Sequence, residues 1–148
     1  MNEIFFIDRC LGTKLADSLR NVGARVEIHD DHFSQDIKDE DWLREVGERN
    51  WVVLTKDKKI ASRRLELLAV AQGNVRLFAF VDGDISGVVV AQAFVNALEN
   101  MRGFMRGNPA PFIAKVHQSG MVKPCKNRRE LLRMLPKPVS KSSQINLP

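Results

Sequence analysis

The stretch Glu3-Ile4-Phe5-Phe6-Ile7-Asp8 decides the fold class. Four consecutive apolar residues without polar alternation suit a strand covered on both faces, as in the middle of a parallel sheet. The run stops at a carboxylate. Arg9 and Cys10 form no turn signature behind it, and a charge that ends a wholly apolar strand needs a partner. Working outward, Leu11, Leu15 and Leu19 recur at four-residue spacing with Gly23 as a stop, which predicts a helix over 13–22. Ala24 to His29 alternates as a second strand and leads into the acidic Asp30-Asp31-His32.

The first pattern then recurs. Asp39 stands in an N-cap position before Glu40-Asp41-Trp42-Leu43-Arg44-Glu45-Val46, a short helix with acids in its first turn, closed by Gly47 and Asn50. Trp51-Val52-Val53-Leu54-Thr55 follows as a buried strand with Asp57 just beyond it. A helix from Ile60 to Gln72, a fourth strand over 75–81 and a long helix on the stripe Val88, Ala91, Val95, Leu98 and Met101 come next. Phe112 to His117 reads as a fifth strand, Ser119-Gly120 as a turn into a short Met121-Val122 strand, and Arg128 to Leu135 as a basic helix. Strands alternating with helices mean right-handed βαβ units, hence an α/β domain with a central, mainly parallel sheet of about five strands. The expected domain spans 1–135, and the Pro- and Ser-containing segment 136–148 reads as a disordered basic tail.

A chain of 148 residues with 44% hydrophobic residues suffices for one core. No window reaches the roughly 20 apolar residues of a membrane helix, and two cysteines, Cys10 and Cys125, make no disulfide framework. A reduced, cytoplasmic protein with no membrane partner is the expectation. Charge is segregated along the chain. Residues 1–100 carry 13 Lys or Arg against 17 Asp or Glu, and residues 101–148 carry 10 against one, within a net charge of +5. An acidic front and a basic rear suit a metal site beside a phosphate-binding surface; a solvated basic tail would give the same count.

In open α/β sheets, ligands bind outside the carboxyl ends of the strands, near the point where strand order reverses. Asp8, Asp31 and Asp57 each follow a strand, and Asp39 approaches the same edge from a helix start. Two like charges about 4 Å apart repel by roughly 4 kcal/mol at an effective dielectric near 20, so such a cluster needs a cation or a shared proton. Oxygen ligands without a Cys or His pair point to Mg²⁺ or Mn²⁺, and such an ion supports phosphodiester hydrolysis. The cations Lys56, Lys58, Lys59 and Arg63 beside Asp57 would grip nucleic-acid phosphates. Each acid also has a structural reading: Asp39 a helix cap, Asp57 part of a solvated charged loop, Asp82 and Asp84 turn residues about Gly83.

At Phe6-Ile7-Asp8 with its leucine-spaced helix, at Asp39-Glu40-Asp41-Trp42-Leu43 and at Val53-Leu54-Thr55-Lys56-Asp57, the chain resembles the PIN-like superfamily, especially its VapC-type toxin-related branch. The resemblance implies a three-layer fold and a Mg²⁺- or Mn²⁺-dependent ribonuclease. Catalytic and metal-binding roles would fall on Asp8, Asp39 and Asp57, with Asp31 as a further ligand. RNA is the implied substrate, a small antitoxin protein the implied partner, and a homodimer the other expected assembly. Family members commonly carry a fourth acid after the third strand, where this chain has Lys58 and Lys59. A catalytically silent RNA- or protein-binding module is therefore the second reading. A haloacid-dehalogenase-type phosphatase would need a second aspartate two residues after Asp8, where Cys10 stands, and no Gly-rich turn supports a P-loop.

Overall fold

The computed structural model describes residues 2–83 and 85–136, without the Lys58 side chain. The expected tail lies outside the described residues apart from Pro136, as does Asp84. Six strands, β1 (Ile4–Ile7), β2 (Arg25–Ile28), β3 (Val52–Thr55), β4 (Arg76–Phe80), β5 (Phe112–Val116) and β6 (Val122–Lys126), form one sheet in the order β2-β1-β3-β4-β5-β6. The first five are parallel and β6 returns antiparallel to β5. The short strand expected at Met121-Val122 is this β6, three residues longer because its ladder with β5 continues past Val122 through an irregularity at Ile113 and Ala114.

Side-chain alternation explains the unbroken apolar runs. Phe5, Ile7, Val52, Leu54, Phe78 and Phe112 face helices α1 (Thr13–Asn21) and α4 (Gly87–Gly107). Phe6, Val53, Leu77 and Ile113 face α2 (Asp39–Glu48), α3 (Arg64–Gln72) and α5 (Arg128–Leu132). The result is three layers, helices on sheet on helices. No helix among the described residues is long and apolar enough to cross a membrane.

Three helix boundaries differ from the sequence reading. Lys38, not Asp39, is the N-cap residue of α2, and Asp39 is its first helical residue. Gly47 lies inside α2 rather than ending it, and a Cβ there would sit 2.1 Å from the Gly73 carbonyl oxygen. The glycine serves close approach of α2 to the end of α3, not helix termination. The helix expected from Ile60 instead begins as a 3-10 turn, Lys58–Ala61, before α3 starts at Arg64.

Strand order reverses about β1: α1 carries the chain to β2 on one side, and α2 brings it back to β3 on the other. The crevice of such a sheet therefore opens at the carboxyl ends of β1 and β3.

Candidate active site

Asp8 continues β1 by one residue, its amide donating to the Leu54 carbonyl at 2.9 Å. Its residue exposure is only 7%. The carboxylate is held by Thr55, whose hydroxyl donates to Asp8 Oδ2 at 2.7 Å, and the Cys10 thiol lies 3.5 Å from the same oxygen. Thr55 Oγ1 also accepts from the Asp57 amide at 3.0 Å, so one fully buried hydroxyl joins the ends of β1 and β3. Asp57 in turn caps the 3-10 turn behind it, accepting from the Lys59 amide at 2.9 Å.

Asp39 arrives from the side, as the first residue of α2, and its Oδ1 accepts from the Trp42 indole at 2.9 Å. Trp42 is fully buried against Phe6 and His29, which makes the carboxylate's anchor rigid. Asp8, Asp39 and Asp57 line one cavity of about 640 Å³ together with Lys56 and Arg9. Burial raises the Asp8 pKa above the ordinary value of 3.8; the Thr55 hydrogen bond opposes the rise and the nearby Asp39 charge adds to it. Burial is the main cost of keeping this carboxylate ionised, and the neighbouring acid adds to it.

The remaining sequence candidates divide. Asp31 is exposed on the 3-10 turn His29–Asp31 and does not line the cavity; its neighbour Asp30 does, at 3.3 Å from the Arg9 guanidinium. Lys56 and Lys59 are exposed, whereas Arg63 is engaged by the nearly buried Glu66 at 3.2 Å. The side chain of Lys58 lies outside the described residues.

Sequence reasoning passed over Thr55, His29 and Cys10. Register carries His29 to the position beside Asp8, since Ile7 pairs with Ile28. His29 is buried among Phe6, Phe33 and Trp42; its Nδ1 makes no hydrogen bond but lies 3.5 Å from Asp30 Oδ1, and the ring lines the cavity. Cys10 stands at the cavity with its thiol pushed up to about 11 by burial and by the Asp8 charge. At neutral pH it is a thiol and not a thiolate ligand.

Among the described residues no three His, Cys, Asp or Glu side chains are grouped to hold a single ion. The donor set is carboxylate oxygen, with Asp39 and Asp57 each anchored through one oxygen. That set fits a hard cation held by one or two carboxylates with water completing the shell, the manner of Mg²⁺, and does not fit a closed structural zinc site.

Fold and cavity together define a doubly wound α/β domain with an acidic crevice at its switch point. Comparison with protein families matches residues 3–82 to the family described as PIN like domain, and the chain belongs to that family. No curated protein and no solved structure matches it. PIN-like domains are commonly nucleases and typically use divalent metals.

Proposed function

We propose that the protein is a Mg²⁺- or Mn²⁺-dependent endoribonuclease that hydrolyses RNA phosphodiesters in the crevice at the ends of β1 and β3. The observation that carries this reading is the buried Asp8 carboxylate, raised in pKa and without a cationic partner among the described residues, facing a cavity shared with Asp39 and Asp57. Asp8 and Asp39 would hold the ion and Asp57 its water shell. A bound divalent cation supplies charge neutralisation and acidifies water. Thr55 orients Asp8, Trp42 orients Asp39, and the cations Arg9 and Lys56 at the cavity draw the phosphate in. In the toxin reading, a small antitoxin covers this cavity with a basic side chain.

Asp8→Asn should lower RNA cleavage in Mg²⁺ by about 100-fold or more with the circular dichroism spectrum unchanged. An unaltered rate removes Asp8 from the chemistry. The lack of a three-ligand group among the described residues favours the second reading, a silent RNA-binding module. Wild-type protein that binds RNA with steep salt dependence, yet leaves it intact in both Mg²⁺ and Mn²⁺, would establish that alternative.

A further inference from the structure

Cross-strand register continues from the acidic cavity to a place that the nuclease reading leaves unused. Thr55 pairs with Ala79, Ala79 with Lys115, and Lys115 with Lys123. These side chains share the face that carries α2 and α3. With strands about 4.8 Å apart, Lys115 lies about 10 Å and Lys123 about 15 Å along the row from Thr55. A hollow of about 310 Å³ opens there, lined by Ala61, Ser62, Ala79, Val81, Ile113, Lys115 and Cys125. Its wall is the 3-10 turn Lys58–Ala61, whose other flank, Asp57, lines the acidic cavity. One short turn therefore separates two openings on the same rim.

Lys115 and Lys123 are both exposed and directly opposed across the antiparallel pair, an arrangement that like charges disfavour. Several arginines of this molecule hold a carboxylate or a carbonyl, whereas Lys115 and Lys123 face each other. These two have no hydrogen bond or ion pair among the described residues. An anion from outside the chain would relieve the repulsion. The hollow itself is mostly apolar and of a size for one small planar group, not for a folded partner.

We propose that this hollow, with Lys115 at its lining and Lys123 across the strand pair, forms a second contact for a single RNA strand, one base occupying the apolar hollow while Lys115 and Lys123 hold the adjoining phosphates. The inference rests on the reading of the protein as one that acts on RNA, and it adds the direction in which the strand leaves the acidic cavity: over the 3-10 turn toward β6. Phosphates on lysines and a base against apolar surface are how single strands are gripped without sequence readout.

The experiment measures binding of a labelled oligouridylate of about 12 nucleotides to the Asp8→Asn protein, in which cleavage does not interfere. Lys115→Glu with Lys123→Glu should weaken binding roughly tenfold or more, and Lys115→Ala with Lys123→Ala should flatten the salt slope by about 1.4, two contacts at about 0.7 each. Lys115→Arg with Lys123→Arg should bind as the parent does. A dinucleotide, too short to stay at the acids and also reach the lysines, should bind all variants alike. Unchanged affinity and slope for the long strand overturn the inference while leaving the nuclease reading in place. Failure of both the wild-type protein and Asp8→Asn to bind RNA at any salt concentration overturns both. Loss of binding to a polyglutamate peptide, with RNA binding unaltered, assigns the lysines to an acidic protein and overturns the RNA assignment.

Discussion

Thr55 is the residue on which the crevice turns. Its hydroxyl is fully buried, donates to Asp8 and accepts from the Asp57 amide, so removing it leaves a buried carboxylate short of a donor and a backbone amide short of an acceptor. Thr55→Val keeps the shape and should cost about 2 kcal/mol of stability, the range for leaving buried polar groups unsatisfied, with cleavage falling alongside. Thr55→Ser should restore most of both; equal urea midpoints for the Val and Ser variants would show that the hydroxyl is not what holds the two strand ends together. At this scale the acids were legible because every parallel strand delivers its last residue to the same edge. The partners were not. That Thr55 supports Asp8 depends on β1–β3 register, and that Asp30 rather than Asp31 faces the cavity depends on a 3-10 turn, where one residue rotates the side chain by about 120°.

Among the elements, the packing of α2 on α3 positions Asp39. Gly47 admits the Gly73 carbonyl at a place where a Cβ would sit 2.1 Å from it and 2.8 Å from Val75 Cγ2, both fixed by backbone or by the core. Gly47→Ala should destabilise by about 2 kcal/mol, as overpacking does, despite alanine's higher helix propensity. Because α2 must tilt to relieve the clash, cleavage should fall further than the folded fraction at the same temperature. A urea midpoint equal to that of wild type would mean that α2 is not held at this contact. The sequence presents Gly47 as a helix stop because glycine has both uses; only the neighbouring helix distinguishes them. Period-four leucines made α1 readable, and a continuous apolar run made β1 and β3 readable. The 3-10 turn at Lys58–Ala61 has no such period and looks in the sequence like the start of α3.

Across the whole molecule, β1 is bracketed by two carboxylates that the sequence cannot tell apart. Glu3 precedes the strand and Asp8 follows it. At the amino end, burial works against the ionised Glu3, but the Arg102 hydrogen bond and charge outweigh it and hold the pKa below the ordinary value of 4.5. At the carboxyl end, Asp8 is raised above 3.8, because burial and Asp39 outweigh what Thr55 supplies. The lowered group contributes stability that is complete above 4.5 and is lost as pH falls through its folded value. The raised group does the reverse: its contribution is complete below 3.8 and is lost as pH rises through its folded value. One acid therefore serves the fold and the other opposes it, which is what a carboxylate reserved for a ligand would do.

The two are separable by thermal melts across the acid range. Glu3→Gln should cost about 2 kcal/mol at neutral pH, the scale of a hydrogen bond to a charged group, and the deficit should shrink as pH drops below 4.5. Asp8→Asn should be more stable than wild type at neutral pH, by about 1 kcal/mol, the scale seen when a functional residue is relieved. That advantage should vanish toward and below pH 3.8. Addition of Mg²⁺ at about 100 times its dissociation constant should raise wild-type stability by about 2.7 kcal/mol and leave Asp8→Asn nearly unmoved. If the Asp8→Asn protein is less stable than wild type at neutral pH without metal, Asp8 is a structural acid like Glu3, and the crevice loses the feature that supports a metal-dependent reaction.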